Sequence, residues 1–369
     1  GRRSLFWDRG YESYAEVYDI HHPRASFASH RNLRRSPFAH HQEELDSELY
    51  EMGGWERARW YGANDSLLDF YDVPQRTGWE AELWSPIEGA EHQAVRDGVG
   101  MCDLTSFTNI KITGPGAQEF SQRVFTNDMD VSVGDVVYTT MVDEAGGVIG
   151  DMTVVRKSAD EFYVSANSAG AGTKQLAWLQ SHVPDDDSVT VSNETSSTTG
   201  IGVWGPDAGK MLESVVHADL SDDAFPYFSA RETYVDAIPV TALRVSYVGE
   251  LGWELHAPME YGAKLWETLR EAGDEYDVVA MGDGALNTMR LEKGYRMYGV
   301  DMYSEYTPYE AGLGFTVDLA TEFVGRDALA DAKEDEVETK LICATLDDSE
   351  AIVQGGTPLF DGDDKIRYV

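Results

Sequence analysis

Two stretches of this chain follow one plan, and that plan limits the folds open to it. Each begins with a strand running into a Gly-Pro turn and a helix: "TGPGAQEF" from Thr113 and "VWGPDAGK" from Val203. Each then reaches a glycine-bearing hairpin. In the first, "VVYTTMV" and "VIGDMTVVR" flank Asp143-Glu144-Ala145-Gly146-Gly147. In the second, "VTALRVSYVGELGWELHAP" carries Gly249 and Gly252 in its loop. Such loops reverse the chain between antiparallel strands. Strands paired in this way, with helices between them, favour α+β layers over a doubly wound parallel sheet.

The remaining pattern fills in the two units. "NIKITG" from Asn109 and "EFYVSAN" read as strands. The helix from Pro115 sets Phe120 and Val124 one turn apart, and "TKQLAWLQSHV" lines up Leu176, Leu179 and Val183. "AGKMLESVV", "YGAKLWETLREAG" and "GDGALNTMRLEKG" read as helices of the second unit. Residues 1 to about 75 are rich in Arg, His and aromatics and lack a clean period. They read as an extended segment lying over another surface. This stretch holds five of the nine histidines: His21, His22, His30, His40 and His41. No carboxylate or Cys recurs among them at ligand spacing, so a polar interface strip is preferred to a metal site. "TKLICATL" from Thr339 reads as a strand opening a further domain. The expected divisions are a connecting segment over 1–78, one unit over 79–197, a second over 198–337, and the start of a truncated C-terminal β-barrel over 338–369.

The formal net charge is -37, from 66 acidic and 29 basic residues. That balance repels a nucleic-acid backbone and an anionic membrane surface, so neither is an expected partner. The acids are spread along the whole chain, as a very salty medium requires. At 1 M salt the Debye length is about 3 Å, and self-repulsion is screened. The melting temperature is accordingly expected to rise from dilute buffer to molar KCl. Equal values in the two media would remove the halophile reading. Cys102 and Cys343 are the two cysteines and are far apart, with no CxxC, which suits a reducing cytoplasm. No apolar run reaches membrane-spanning length and no signal peptide is evident, so the expected location is cytoplasmic. The chain starts at Gly1 and reads as an excised or processed fragment.

Common catalytic strings are missing. Gly114-Pro115-Gly116 lacks the third glycine of a dinucleotide-binding turn, and no P-loop, HExxH or GxSxG occurs. Three charged residues stand out instead. Asp151 shares a strand face with Ile149, Thr153 and Val155, opposite Met152 and Val154. A carboxylate among β-branched residues is partly desolvated, which suits proton transfer; a hydrogen-bonded strand-edge Asp is the equal alternative. Glu254 and His256 share the face opposite Trp253 and Leu255. A carboxylate there can grip an amino-imine edge with two parallel hydrogen bonds, or form a solvated face. Arg290 lies in an apolar helix and calls for an anionic partner, either Glu292 or Asp283 or a ligand carboxylate.

Six strings occur in order: "GPGAQEFSQRVFTNDM", "YTTMVDEAGGVIGDMTVV", "YVSANSAG", "VGELGWELHAP", "MRLEKGYRMYGVDM" and "TPYEAGLGFTVDL". Together they resemble the glycine-cleavage T-protein (aminomethyltransferase) family from about residue 80 to 330. "RRSPF" and "GWERARWY" resemble the stretch joining the flavin and folate domains of sarcosine and dimethylglycine dehydrogenases. The chain departs from the family pattern in two ways. Gly150 stands where an acid often precedes Asp151, and Phe107 follows Ser106 where T-proteins have His. The second departure fits the dehydrogenase branch.

The resemblance implies a mechanism. The flavin half oxidises an N-methyl group to an iminium, and tetrahydrofolate captures that carbon and leaves as methylenetetrahydrofolate. By the same resemblance Asp151 is the base or electrostatic orienter beside the reacting nitrogens. Glu254 holds the pterin edge, Arg290 lies near the folate tail, and Tyr138, Asn167 and Tyr247 line the pocket. FAD is expected only in a flavin domain outside this chain, on the same polypeptide or a partner. The substrate is an iminium derived from a methylated glycine. Two other functions fit the same fold: a non-catalytic, regulatory folate-binding relative, and a folate-dependent demethylase.

Overall fold

The computed structural model describes residues 2–334 and 337–368. In chain order it begins with α1 (Arg2–Ala15), α2 (Ala39–Glu44) and a hairpin of β1 (Ser47–Met52) and β2 (Trp55–Tyr61). Helix α3 (Pro86–Asp97) follows. The Ser85 hydroxyl caps it by accepting the Ile87 N–H at 3.2 Å, with Pro86 in the first turn where no N–H is needed. Then come β3 (Gly100–Asp103), β4 (Phe107–Thr113), α4 (Ala117–Val124), β5 (Val136–Val142), β6 (Val148–Ser158), β7 (Glu161–Ser168), α5 (Ala169–Ser181) and β8 (Thr190–Asn193). The second half holds β9 (Thr198–Trp204), α6 (Ala208–Glu213), β10 (Ala230–Val235), β11 (Ile238–Leu243), β12 (Gly252–Pro258), α7 (Gly262–Gly273), β13 (Val279–Ala280) and α8 (Asp283–Glu292). Helix α9 (Arg326–Glu334) and a last hairpin of β14 (Pro358–Asp361) and β15 (Asp364–Tyr368) complete the order.

Two sheets carry the fold. The first is five-stranded, β5-β6-β7-β4-β8, and antiparallel throughout. The second is six-stranded, β10-β11-β12-β9-β3-β13, antiparallel except for the short parallel pair β3–β13. This is the α+β arrangement expected from the hairpin plan. Each sheet buries one face under helices. Ile110, Ile112, Met152, Val154, Phe162 and Val164 of the first pack with Phe120, Val124, Leu176 and Leu179 of α4 and α5. Ile201, Val203, Val240, Trp253 and Leu255 of the second pack with Met211 and Leu212 of α6 and with Leu265, Trp266 and Leu269 of α7. The other faces turn toward each other and touch through Val136 and Val155 on one side and Ala230, Leu243 and Val245 on the other. Asp151 and Glu254, two of the residues singled out in the sequence, lie on those two inner faces.

The β5–β6 hairpin closes through Asp143, whose Oδ1 accepts the backbone N–H of Ala145 at 3.0 Å and of Gly147 at 2.9 Å. Gly146 sits at φ +82°, a conformation that costs glycine nothing.

Four details depart from the sequence reading. The first residues are not extended: Arg2–Ala15 is helical. Strand β3, expected in the first unit, hydrogen-bonds in the second sheet, because its partner β9 lies about a hundred residues away and leaves no local signal. Residues 339–346 form no strand, and the described tail beyond them is an irregular segment ending in the exposed β14–β15 hairpin. Ile149 does not share a face with Asp151. Val142 pairs with Val148 and Met141 with Gly150, so Ile149 is the extra residue of a bulge and packs into the helix-covered core with Met152 and Val154.

Helix α1 is amphipathic with its faces reversed. Arg9 and Glu12 point to the body: Arg9 donates to Glu51 at 3.0 Å, and Glu12 accepts the N–H groups of Ala28 at 2.6 Å and Ser29 at 3.0 Å. Trp7, Tyr11 and Tyr14, spaced one turn apart, face outward with Tyr18 and are 69–95% exposed.

Candidate functional site

Asp151 lies on the inner face of the first sheet and is 8% exposed. Strand pairing sets its neighbours. Tyr138, on β5, donates its hydroxyl to Asp151 Oδ2 at 2.8 Å, and Asn167, at the end of β7, donates Nδ2 to Oδ1 at 3.2 Å. Burial pushes the Asp151 carboxyl above the usual carboxylate range. The Tyr138 and Asn167 hydrogen bonds pull it back, and the charge of Asp301 pushes it up again. Burial and the neighbouring Asp151 likewise push the Tyr138 hydroxyl well up, so it stays protonated as a donor.

Aromatic rings surround this carboxylate. Tyr138 stacks against Phe315 with centroids 6.1 Å apart, and Phe315 is 71% exposed, so the site opens on that side. Tyr247, in the loop before β12, is pushed up by burial first and then by Asp151, and Tyr298 feels both effects in the same order. The Tyr247 hydroxyl donates to the Arg296 carbonyl at 2.8 Å, and its ring stacks on Tyr295 at 6.2 Å. The segment after α8 thus wraps the site. A buried carboxylate beside flat apolar walls can move a proton at, or stabilise positive charge on, a planar ring system.

Glu254 stands on the facing sheet, on the inner side of β12, with Trp253 and Leu255 turned to the core as the alternation requires. Its Oε2 lies 3.1 Å from His256 Nε2. His256 Nδ1 lies 3.1 Å from the Tyr163 hydroxyl, which donates to Asn109 Oδ1 at 2.7 Å. This chain of four polar groups ties the two sheets together. Among the described residues Oε1 of Glu254 makes no hydrogen bond.

The six sequence-predicted residues therefore fall into three sets. Tyr138, Asp151 and Asn167 are joined by direct hydrogen bonds, with Tyr247 within electrostatic reach. Glu254 lies across the gap on the opposite sheet. Arg290 is buried and already engaged: it pairs with Asp301 and donates to the Tyr295 carbonyl at 3.0 Å and to Asn287 Oδ1 at 2.9 Å. Its partner is neither Glu292 nor Asp283. Glu292 pairs with His92 and Arg96, and Asp283 with Arg57. A bend after α8 brings Asp301 back to the helix, which helical spacing alone does not reveal.

Sequence reasoning missed Gln175 and Asp301. Gln175, on α5, is fully buried behind Asn167. The signal was Gly150: a strand glycine marks a place where another group approaches closely. The five N-terminal histidines are dispersed. His22 stacks on Trp79 at 4.9 Å, His30 pairs with Asp8 at 2.7 Å, and His40 and His41 sit beside Glu44. Among the described residues, no helix is long and apolar enough to cross a membrane.

The sequence and the fold match known proteins. The model of the GCVT N-terminal domain family covers residues 38–321, and that of the FAD dependent oxidoreductase central domain covers residues 1–36. The chain belongs to the GCVT, or glycine-cleavage T-protein, family. It is 34% identical to an aminomethyltransferase of Bacillus cereus (strain B4264) over 79% of both chains. It is 32% identical to 4-methylaminobutanoate oxidase (formaldehyde-forming) of Paenarthrobacter nicotinovorans, covering 95% of this chain and 42% of that one. It is 31% identical to mitochondrial dimethylglycine dehydrogenase of Homo sapiens, covering 91% of this chain and 38% of that one. The chain thus spans about two fifths of each oxidising relative. Its fold is that of the glycine cleavage system aminomethyltransferase T of Bartonella henselae, with a TM-score of 0.68 at 22% identity over 82% of this chain and 75% of that one.

Proposed function

We propose that this chain is the tetrahydrofolate-dependent one-carbon transfer part of a flavoprotein that oxidises N-methylated amino acids. Its substrate is an iminium formed from a methylated glycine. The observation that carries the reading is Asp151, buried between two sheets, held by Tyr138 and Asn167 and walled by aromatic rings. The names of two relatives, a dimethylglycine dehydrogenase and a 4-methylaminobutanoate oxidase, support the substrate class.

The residues fit a reduced folate. Its pterin presents a flat ring for the Tyr138, Phe315 and Tyr247 walls, and its amino-imide edge suits a carboxylate such as Glu254. When bound, it supplies the two nitrogens that take up the carbon. In the overall exchange, iminium plus folate gives the amine, the methylene-bridged folate and one proton. Asp151 accepts that proton and offsets the positive charge that precedes its release. Tyr138 and Asn167 hold the carboxylate in line. Arg290 is spent on Asp301, so the glutamyl tail depends on other groups at the open side.

FAD is placed outside this chain, because the chain's Gly-Pro turns lack the third glycine of a dinucleotide-binding turn. The reversed helix α1 supports a separate flavin module. A helix that turns Arg9 and Glu12 inward and Trp7, Tyr11 and Tyr14 outward is suited to a partner surface with apolar character, and residues 1–36 match the central domain of FAD-dependent oxidoreductases.

The test is a tryptophan-fluorescence titration with tetrahydrofolate in molar KCl, with Glu254→Ala alongside, on this chain and on the full-length protein. Saturable quenching that the substitution abolishes is the expected result. Quenching by neither protein, or quenching unchanged in Glu254→Ala, removes the pterin pocket from the inner face.

A further inference from the structure

Gln175 makes three contacts, and two of them are with backbone. Its Oε1 accepts the Asn167 N–H at 3.2 Å, and its Nε2 donates to the Ile149 carbonyl at 3.2 Å and to Asn167 Oδ1 at 2.5 Å. An N–H only donates and a carbonyl only accepts, so these backbone groups fix which end of the Gln175 amide is which. The direction then passes outward. Asn167 Oδ1 must accept from Gln175, so Asn167 Nδ2 must be the end that faces Asp151 Oδ1. Without that constraint an asparagine beside a carboxylate is free to rotate away or to bond elsewhere.

Gly150 makes room for this arrangement. A Cβ at residue 150 would lie 2.0 Å from Gln175 Nε2, 2.7 Å from its Cδ and 3.2 Å from Asn167 Oδ1. Any side chain there expels the Gln175 amide. The bulge at Ile149 aims that residue's carbonyl at Gln175, so the turn, the glycine and the glutamine form one device.

We propose that Gln175 is a positioning residue for Asp151, acting through Asn167, and that glycine at 150 is the space it requires. Its relevance to turnover rests on the reading of Asp151 as the working carboxylate; the positioning itself does not. Around the carboxyl also stand Tyr138 from β5, Tyr247 from the loop before β12, and Tyr298, Asp301 and Arg296 from the segment after α8. The substitutions below leave all of these in place.

The experiment follows the Asp151 carboxyl by carbon-13 NMR in the ligand-free protein, with Asp151→Asn to assign the signal. Gln175→Met keeps the length of the side chain and removes the amide. Asn167→Leu removes the donor itself and serves where Gln175→Met fails to fold. Each takes a hydrogen bond from the ionised form, so the carboxyl is expected to titrate at higher pH than in the wild type. In the full-length protein the acid limb of the rate profile is expected to move the same way, with turnover at neutral pH lowered about tenfold. Gly150→Ala combined with Gln175→Ala separates positioning from space-filling. The new methyl refills part of the volume, so thermal stability recovers, while the carboxyl stays shifted. An unchanged titration in Gln175→Met and Asn167→Leu overturns the proposal, as does a double variant that regains the wild-type titration. A shifted carboxyl with undiminished carbon transfer in Asp151→Asn leaves the positioning intact and sinks the functional reading instead.

Discussion

Asp151→Asn is expected to retain tetrahydrofolate binding and to lower one-carbon transfer by about a hundredfold or more, the usual cost of losing a general base. Asparagine keeps the size of the side chain and one acceptor, so the contacts with Tyr138 and Asn167 survive in part. What disappears is the group that takes the proton and opposes the positive charge. The pH profile gives an independent reading. In the proposed function the ionised carboxylate is the working form, so transfer is expected to rise with pH through the Asp151 titration. Burial raises that limb above the ordinary carboxylate range. In the asparagine variant this limb is absent. Rapid-mixing measurement of methylenetetrahydrofolate formation in the full-length flavoprotein checks both points. A fully active variant removes Asp151 from its role.

Asp301→Ala is expected to be the most damaging single change among the groups discussed, costing about 3–5 kcal/mol of stability. Arg290 has a side chain only 3% exposed, and Asp301 is the anion paired with it. Asp301 also accepts the Met297 N–H at 2.8 Å, so its loss frees the bend that folds this segment over the site. Removing one partner of a buried pair strands the other charge. Replacing both Arg290 and Asp301 by apolar residues of similar volume costs much less. Denaturant midpoints of the single and double variants decide the matter. A single-variant loss below about 1 kcal/mol, the scale of an exposed pair, means that Arg290 finds another anion and returns it to consideration as a ligand contact.

Part of the site was legible because it depends on period two. The Gly-Gly loop marked β5 and β6 as a hairpin, whereas Tyr138, Asn167 and Tyr247 came from the family resemblance and not from spacing. The alternation in "GWELH" correctly turned Trp253 and Leu255 to the core and Glu254 and His256 away from it. Three features were hidden for three different reasons. The bulge at Ile149 breaks the alternation that a pattern search assumes. The pairing of β3 with β9 is set by contacts across about a hundred residues, which local spacing does not encode. Helix α1 has the right spacing of Trp7, Tyr11 and Tyr14, but its apolar stripe faces away from this chain's own core, so looking for a core face pointed to no element at all. Gln175 gave no signal of its own, because a polar residue on a helix names no partner; in the fold three hydrogen bonds satisfy it.

The reversed helix has a further consequence for a molecule with a net charge of -37. Wherever two such bodies approach, like charges meet and drive them apart over the screening distance of the medium. The strip of Trp7, Tyr11, Tyr14 and Tyr18 is made of uncharged side chains and so carries less of that conflict than the acidic body. Adhesion and repulsion are thereby assigned to different parts of one surface. The acidic body opposes close approach between copies, and the aromatic strip is a part of the surface where that opposition is weaker.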